Sequence, residues 1–284
     1  MLMNFNFNNF RRMCMDKAIN AAVVIVFLIF ILFIIFAASI SSNSSSIIAT
    51  SSQALSSKKI GWGIKRSDNH KQPDLGTINK KIIDEFGGYA MGNKDKPYIY
   101  LTFDVGYEGG YTSHILDVLK ENDVKAVFFI TGQFVRTSED LIKRMIDEGQ
   151  IIGNHTSKHR VMPDSTEEQI KDDVMSLHQE IYEKFGYEMK YIRPPKGEYS
   201  EKSIAYTNSL GYKTIMWSFA YDDWDVNKQG RQEYGKKKIL DNLHNGEIML
   251  LHATSKDNSE ILDEIIKEAK RQGYEFKSID EFER

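Results

Sequence analysis

The stretch PYIYLTFDVGYEGGYTSHILDVLK, residues 97–120, decides the fold. Tyr98 to Phe103 is an apolar run of strand length, Gly106 permits a tight turn behind it, and a helical pattern follows over 112–121. The same alternation continues to the end of the chain. Further strands are predicted at Val124 to Ile130, Ile151 to Asn154, Tyr191 to Arg193, Tyr212 to Phe219, Glu247 to Leu251 and Tyr274 to Ser278. Helices are predicted near 138–148, 165–185, 200–210, 232–245 and 258–272, with Ser165 and Glu168 as a capping box, Ser138 and Ser200 as N-caps, and glycines such as Gly186 and Gly246 closing them. Strands alternating with helices make a parallel sheet with right-handed crossovers. Chemistry-bearing residues follow five different strand ends, which favours a closed or nearly closed α/β barrel of about seven parallel strands over an open sheet with one switch-point crevice.

Upstream of this unit the composition changes. Ala18 to Ile40 carries no charge and is long enough to span a bilayer, exceeding the apolar core of a cleaved leader, so it reads as a retained signal anchor. Arg11, Arg12 and Lys17 precede it and no basic residue follows until Lys58, which places residues 1–17 in the cytoplasm and everything from 41 onward outside, on a single-pass protein of the cell membrane. Residues 41–58 are dominated by serine and read as a flexible linker, 59–97 as an irregular extension of the catalytic domain, and 98–284 as that domain. The single cysteine, Cys14, lies on the cytoplasmic side, so no disulfide braces the exported part. With a formal charge of −3 overall and +2 before residue 41, the exported part is acidic, which excludes nucleic acid as a partner.

Taken singly, the candidate site residues have ordinary explanations. Asp104 after a strand is usually a turn former, the pair Asp222 and Asp223 ahead of Trp224 a solvated loop, Arg193 before Pro194 and Pro195 a structural ion pair, and His252 at the end of EIMLLH a satisfied core histidine. His155 and His159 are four apart, so on a helical turn both rings share a face and bind one cation with positions left for water and substrate. Together, on successive strand ends, a carboxylate base, an acid-capable histidine, a histidine pair and an orienting Arg and Asp suit hydrolysis of an unactivated amide or ester.

In this order, the strings TFDVG at 102–106, HTSKH at 155–159, RPPKG at 193–197, DDW at 222–224 and LLH at 250–252 resemble the polysaccharide deacetylase family, also known as carbohydrate esterase family 4 or the NodB homology domain. The resemblance covers residues 98–280. It implies a distorted (β/α) barrel that hydrolyses the N-acetyl group of amino sugars with a divalent metal, usually zinc. Carried over by position, Asp104 is the general base, His155 and His159 are metal ligands, Arg193 orients the base, Asp223 tunes the catalytic histidine and His252 is the general acid. Leu250 and Trp224 line the pocket for the acetyl methyl, and a main-chain N–H near Lys196 donates to the oxyanion.

One position departs. The family motif TFDDG is TFDVG here, so Val105 stands where an aspartate supplies a third metal ligand, and Val105→Asp is expected to tighten metal binding. The longer strings TFDVGYEGGYTSHILDVLK, DEGQIIGNHTSKH, RPPKGEYS and LLHATSKDNSEILD are similar to the delta-lactam-biosynthetic de-N-acetylases, which also lack that aspartate. That similarity implies N-acetylmuramic acid in peptidoglycan glycan strands as substrate and muramic delta-lactam in spore cortex as the outcome. The alternatives are an N-acetylglucosamine deacetylase acting on peptidoglycan or chitin-like glycan, and a non-catalytic, membrane-tethered glycan-binding module.

Overall fold

The computed structural model describes residues 54–284; the apolar run 18–40 and most of the serine-rich linker lie outside the described residues. Among the described residues no helix is long and apolar enough to cross a membrane.

All seven strands expected from the sequence form, and every pairing in the main sheet is parallel. The central strand, Tyr98–Val105, is flanked by Val127–Ile130 on one side and Glu247–His252 on the other. Beyond Val127–Ile130 come Ile151–Asn154, Tyr191–Ile192 and Lys213–Thr214, while Glu275–Phe276 pairs with the start of the central strand. The result is a parallel half-barrel wrapped by helices. The barrel expected from the sequence closes only in part: between the chain beyond Lys213–Thr214 and the strand Glu247–His252, closure rests on a single parallel bridge, Phe219 to Met249.

Side-chain alternation explains why the strands read as unbroken apolar runs. In Tyr98–Val105 the odd positions Ile99, Leu101, Phe103 and Val105 pack with Ile115, Leu119 and Leu262 in the layer beneath the helices. The even positions face the barrel interior, where Tyr100 packs with Phe129, Ile151 and Ile248 and where Thr102 and Asp104 are the polar exceptions. Burial on both faces is the signature of a sheet covered by crossover helices.

Three expectations need correction. The run Tyr212 to Phe219 keeps regular pairing only at Lys213–Thr214, because Ile215 bridges to Tyr89 and the chain then bends towards Met249. The capping box on the helix Glu167–Phe185 is made by Thr166 and Gln169 rather than Ser165 and Glu168, and Ser138 makes no capping hydrogen bond. Residues 59–97 are more ordered than their composition suggests: Ile60–Gly61 pairs antiparallel with Glu198–Tyr199, and Thr77–Glu85 forms a helix. Its Ile82 and Ile83 join Trp62, Tyr199 and Met216 in a separate apolar cluster. Trp62 Nε1 donates to the Trp217 carbonyl at 2.9 Å, which ties this extension to a wall of the cavity described next.

Candidate active site

A cavity of about 670 Å³ opens at the C-terminal ends of the strands, lined by Asp104, His155, His159 and His252 together with Lys196, Trp217, Tyr221, Trp224 and Leu250. Strand register brings its chemistry together: Asp104 and His252 are direct cross-strand partners in adjacent parallel strands.

Asp104 is held by Arg193, which has no exposed surface. Its Nη1 donates to Asp104 Oδ1 at 2.8 Å, Nη2 to Thr102 Oγ1 at 2.9 Å, and Nε to the Ile215 carbonyl at 3.1 Å. The guanidinium lies 4.3 Å from the Phe129 ring centroid, so a buried cation is satisfied by a fork of acceptors and an aromatic face. Burial by itself pushes the Asp104 carboxyl up, but the charges of His155 and Arg193 and the Arg193 hydrogen bond outweigh it, and the net shift is downward. Asp104 is therefore ionised over the neutral range, with Oδ2 free of Arg193.

His252 is arranged in the opposite sense. Asp223 Oδ1 lies 2.8 Å from His252 Nδ1, and Asp223 Oδ2 accepts from the His252 main-chain N–H at 2.7 Å and from Asn258 Nδ2 at 2.6 Å. Burial lowers the imidazole pKa, but the Asp223 charge and hydrogen bond and the Asp104 charge overcome it, and the net shift is upward. The neighbouring Asp222 points elsewhere, to Arg231 and Tyr234. Asn258, which also accepts from the Tyr221 hydroxyl, was missed in the sequence because a polar residue in the first turn of a helix carries no distinctive signal.

His155 and His159 do converge, but not on a helical turn. Residues 155–160 form an irregular loop in which Thr156 and His159 take left-handed backbone angles, φ 64° and 53°. His155 Nδ1 lies 2.9 Å from the Arg193 carbonyl, which can only accept, so Nε2 presents its lone pair to the cavity. The two Nε2 atoms are 3.2 Å apart. Ligand nitrogens roughly 2.0–2.1 Å from a tetrahedral zinc stand about 3.3 Å from each other, so the pair fits one divalent ion. Burial lowers the pKa of both rings, that of His159 to about 4, so each is neutral at neutral pH and His155 carries the charge that acts on Asp104 only in acid. Among the described residues no third histidine, cysteine or acidic side chain completes a group of three.

Val105 is fully buried in the apolar layer beneath the helices, on the face of its strand opposite Asp104. Leu250 forms part of the buried floor and Trp224 stands 60% exposed at the rim. Lys196 sits on the other rim with φ 60°, and while the Gly197 N–H turns back to the Pro194 carbonyl, the Lys196 N–H has no acceptor among the described residues. Tyr107, 41% exposed, also lines the cavity; its place on the loop leaving Asp104 was the signal that would have found it.

Comparison with known proteins agrees with this geometry. Residues 91–215 match the polysaccharide deacetylase family model. The chain is 44% identical over 234 residues to the peptidoglycan-N-acetylmuramic acid deacetylase PdaA of Bacillus subtilis, covering 82% of this chain and 89% of that protein. Against the structure of B. subtilis PdaA, described as a family 4 carbohydrate esterase, the TM-score is 0.78 over 80% of this chain and 98% of the other. A peptidoglycan-N-acetylglucosamine deacetylase of Bacillus cereus is 32% identical over 68% of this chain and 91% of its own length. The chain belongs to the polysaccharide deacetylase family, carbohydrate esterase family 4, and is a deacetylase, a hydrolase of carbon–nitrogen bonds other than peptide bonds.

Proposed function

We propose that this protein removes the N-acetyl group from N-acetylmuramic acid in peptidoglycan strands. The observation that carries the chemistry is the pairing, on adjacent strands of one cavity, of a carboxylate whose pKa Arg193 helps to lower with an imidazole whose pKa Asp223 raises. Support for the sugar is the 44% identity to a muramic acid deacetylase, against 32% to a glucosamine deacetylase.

Asp104 takes a proton from the attacking water as its oxygen adds to the acetamide carbonyl. The Lys196 N–H donates to the oxygen that gains charge, and Leu250 and Trp224 enclose the acetyl methyl. His252 then gives its proton to the departing nitrogen as the C–N bond breaks, leaving acetate and a free amine. His155 and His159 would hold a divalent ion, zinc by the preference of two imidazoles, which when bound supplies Lewis-acid polarisation of the carbonyl. The freed amine lies near the lactyl carboxyl of the same sugar where no stem peptide occupies it, so the product is set up for closure to a delta-lactam, in which the amine displaces the carboxyl hydroxyl as water. We also propose that residues 18–40 anchor the chain in the cell membrane with the domain outside, supported by the uncharged run and its basic flank.

The test is acetate release by the full chain from glycan strands stripped of stem peptides, compared with strands that keep them. Release from the stripped strands alone supports the proposal; equal release from both removes the requirement for a free lactyl group, and release from neither overturns it.

A further inference from the structure

The loop that carries both histidines is not held in shape by its own preferences. Two of its six residues, Thr156 and His159, are left-handed without being glycine, a conformation that costs about 1–2 kcal/mol each for an ordinary side chain. Something outside the loop stabilises it, and the destinations of its amides show what. Asn154 Oδ1 accepts from the Thr156 N–H at 2.8 Å. The His155 N–H goes to the Ile130 carbonyl at 3.0 Å, and three further amides go to Asp173, on the helix Glu167–Phe185: its carbonyl takes the Ser157 N–H at 2.9 Å, Oδ1 takes the Lys158 N–H at 2.6 Å, and Oδ2 takes the Arg160 N–H at a longer 3.4 Å.

Asp173 is 2% exposed, and among the described residues no cation pairs with it. A buried carboxylate is costly unless hydrogen bonded, and here its hydrogen bonds go to loop amides. The two amides that meet its oxygens are those on either side of His159, so the carboxylate brackets that residue. It stands behind the loop, beside Thr156 and Arg160, and does not line the cavity that holds Asp104 and His252.

We propose that Asp173 is a positioning residue: by bracketing His159 it fixes that ring's approach to His155, and so sets how well the pair holds a divalent cation. This rests on the metal assignment made above. Without the carboxylate the loop is free to leave its left-handed conformation, and the two Nε2 atoms no longer stand at ligand spacing.

The experiment is a zinc titration of the full chain against a competing chromophoric chelator, with thermal unfolding of the metal-free proteins in parallel. Four proteins are compared: wild type, Asp173→Asn, Asp173→Ala, and Leu177→Ala one turn further along the same helix. Asp173→Ala is expected to weaken zinc binding by roughly 10- to 100-fold, the usual range for partners that orient metal ligands. Asp173→Asn, which keeps an acceptor for Lys158 but presents an NH₂ group to the Arg160 N–H, is expected to fall between. Leu177→Ala lowers the unfolding temperature through a core cavity yet keeps wild-type affinity, which separates positioning from loss of stability. Wild-type affinity in the aspartate variants that fold overturns the proposal and leaves the metal assignment standing. Failure of the wild type itself to bind zinc overturns both. Should Asp173→Ala fail to fold, the Asn variant decides.

Discussion

Asp104 and His252 stand opposite one another in the register of two adjacent parallel strands, yet their surroundings push their ionisation in opposite directions. A base that is ionised and an acid that is protonated at the same pH is the arrangement that lets one site both activate water and protonate an amine. Activity therefore follows a bell-shaped pH profile. Its acid limb falls below the ordinary carboxylate value of 3.8, where Asp104 gains a proton, and its basic limb lies above the ordinary imidazole value of 6.5, where His252 loses one. Asp223→Asn removes the largest cause raising His252, so the basic limb moves to lower pH while the acid limb stays. An unmoved basic limb in kcat against pH would show that His252 is not the acid. The stability contribution has the matching sign: the His252–Asp223 pair stabilises the fold fully below pH 6.5 and loses that contribution as pH rises through the higher folded value.

Arg193→Lys is expected to fold poorly and to lose activity. Lysine keeps the charge but has no planar fork to reach Asp104, Thr102 and the Ile215 carbonyl at once. Breaking a buried ion pair by removing one partner costs about 3–5 kcal/mol, and even an imperfect replacement leaves the Ile215 carbonyl without its donor, while the Thr102 hydroxyl keeps only its bond to the Met249 carbonyl. Chemical denaturation and kcat on the same preparations check this; wild-type values in both contradict the role assigned to the fork.

Much of this was legible in the chain because buried parallel strands leave continuous apolar runs, and because the residues that end them, Asp104, Asn154, Arg193 and His252, mark the rim. The part that was not legible is loop geometry. Nothing in HTSKH signals that Thr156 and His159 are left-handed, since the acceptors that meet the loop amides are Asn154 and Asp173, the latter a mid-helix aspartate indistinguishable in sequence from its exposed neighbour Asp172. Asn258 was hidden for the same reason. The helix Thr77–Glu85 escaped notice because only Ile82 and Ile83 on it are buried, too few to set a period.

Val105→Asp is now expected to behave otherwise than the motif suggests. In place of a ligand it puts a carboxylate among Ile115, Phe134 and Leu262, where no partner waits. The variant loses stability by several kcal/mol on the order given for buried unpaired charge and gains no zinc affinity. Tighter zinc binding with unchanged thermal unfolding would mean that the strand end turns over to deliver the side chain into the cavity.

Removing the metal tests a different layer. His155→Ala and His159→Ala each leave one imidazole, so zinc binding and acetate release fall together, whereas Asp104→Asn keeps both histidines and loses the base, with turnover down by about 10²-fold or more. Wild-type acetate release from both histidine variants in the presence of chelator would separate the metal from the reaction.

The assignment of substrate is tested most directly within a single polymer. Peptide-free glycan strands that alternate N-acetylglucosamine and N-acetylmuramic acid are treated with the full chain, cut to disaccharides, and analysed by fragmentation mass spectrometry to locate the sugar that lost its acetyl group. Loss confined to the muramic residue, with the further loss of water that marks the lactam, is the expected result. Loss confined to glucosamine would contradict the account and make the protein a glucosamine deacetylase built on the same site.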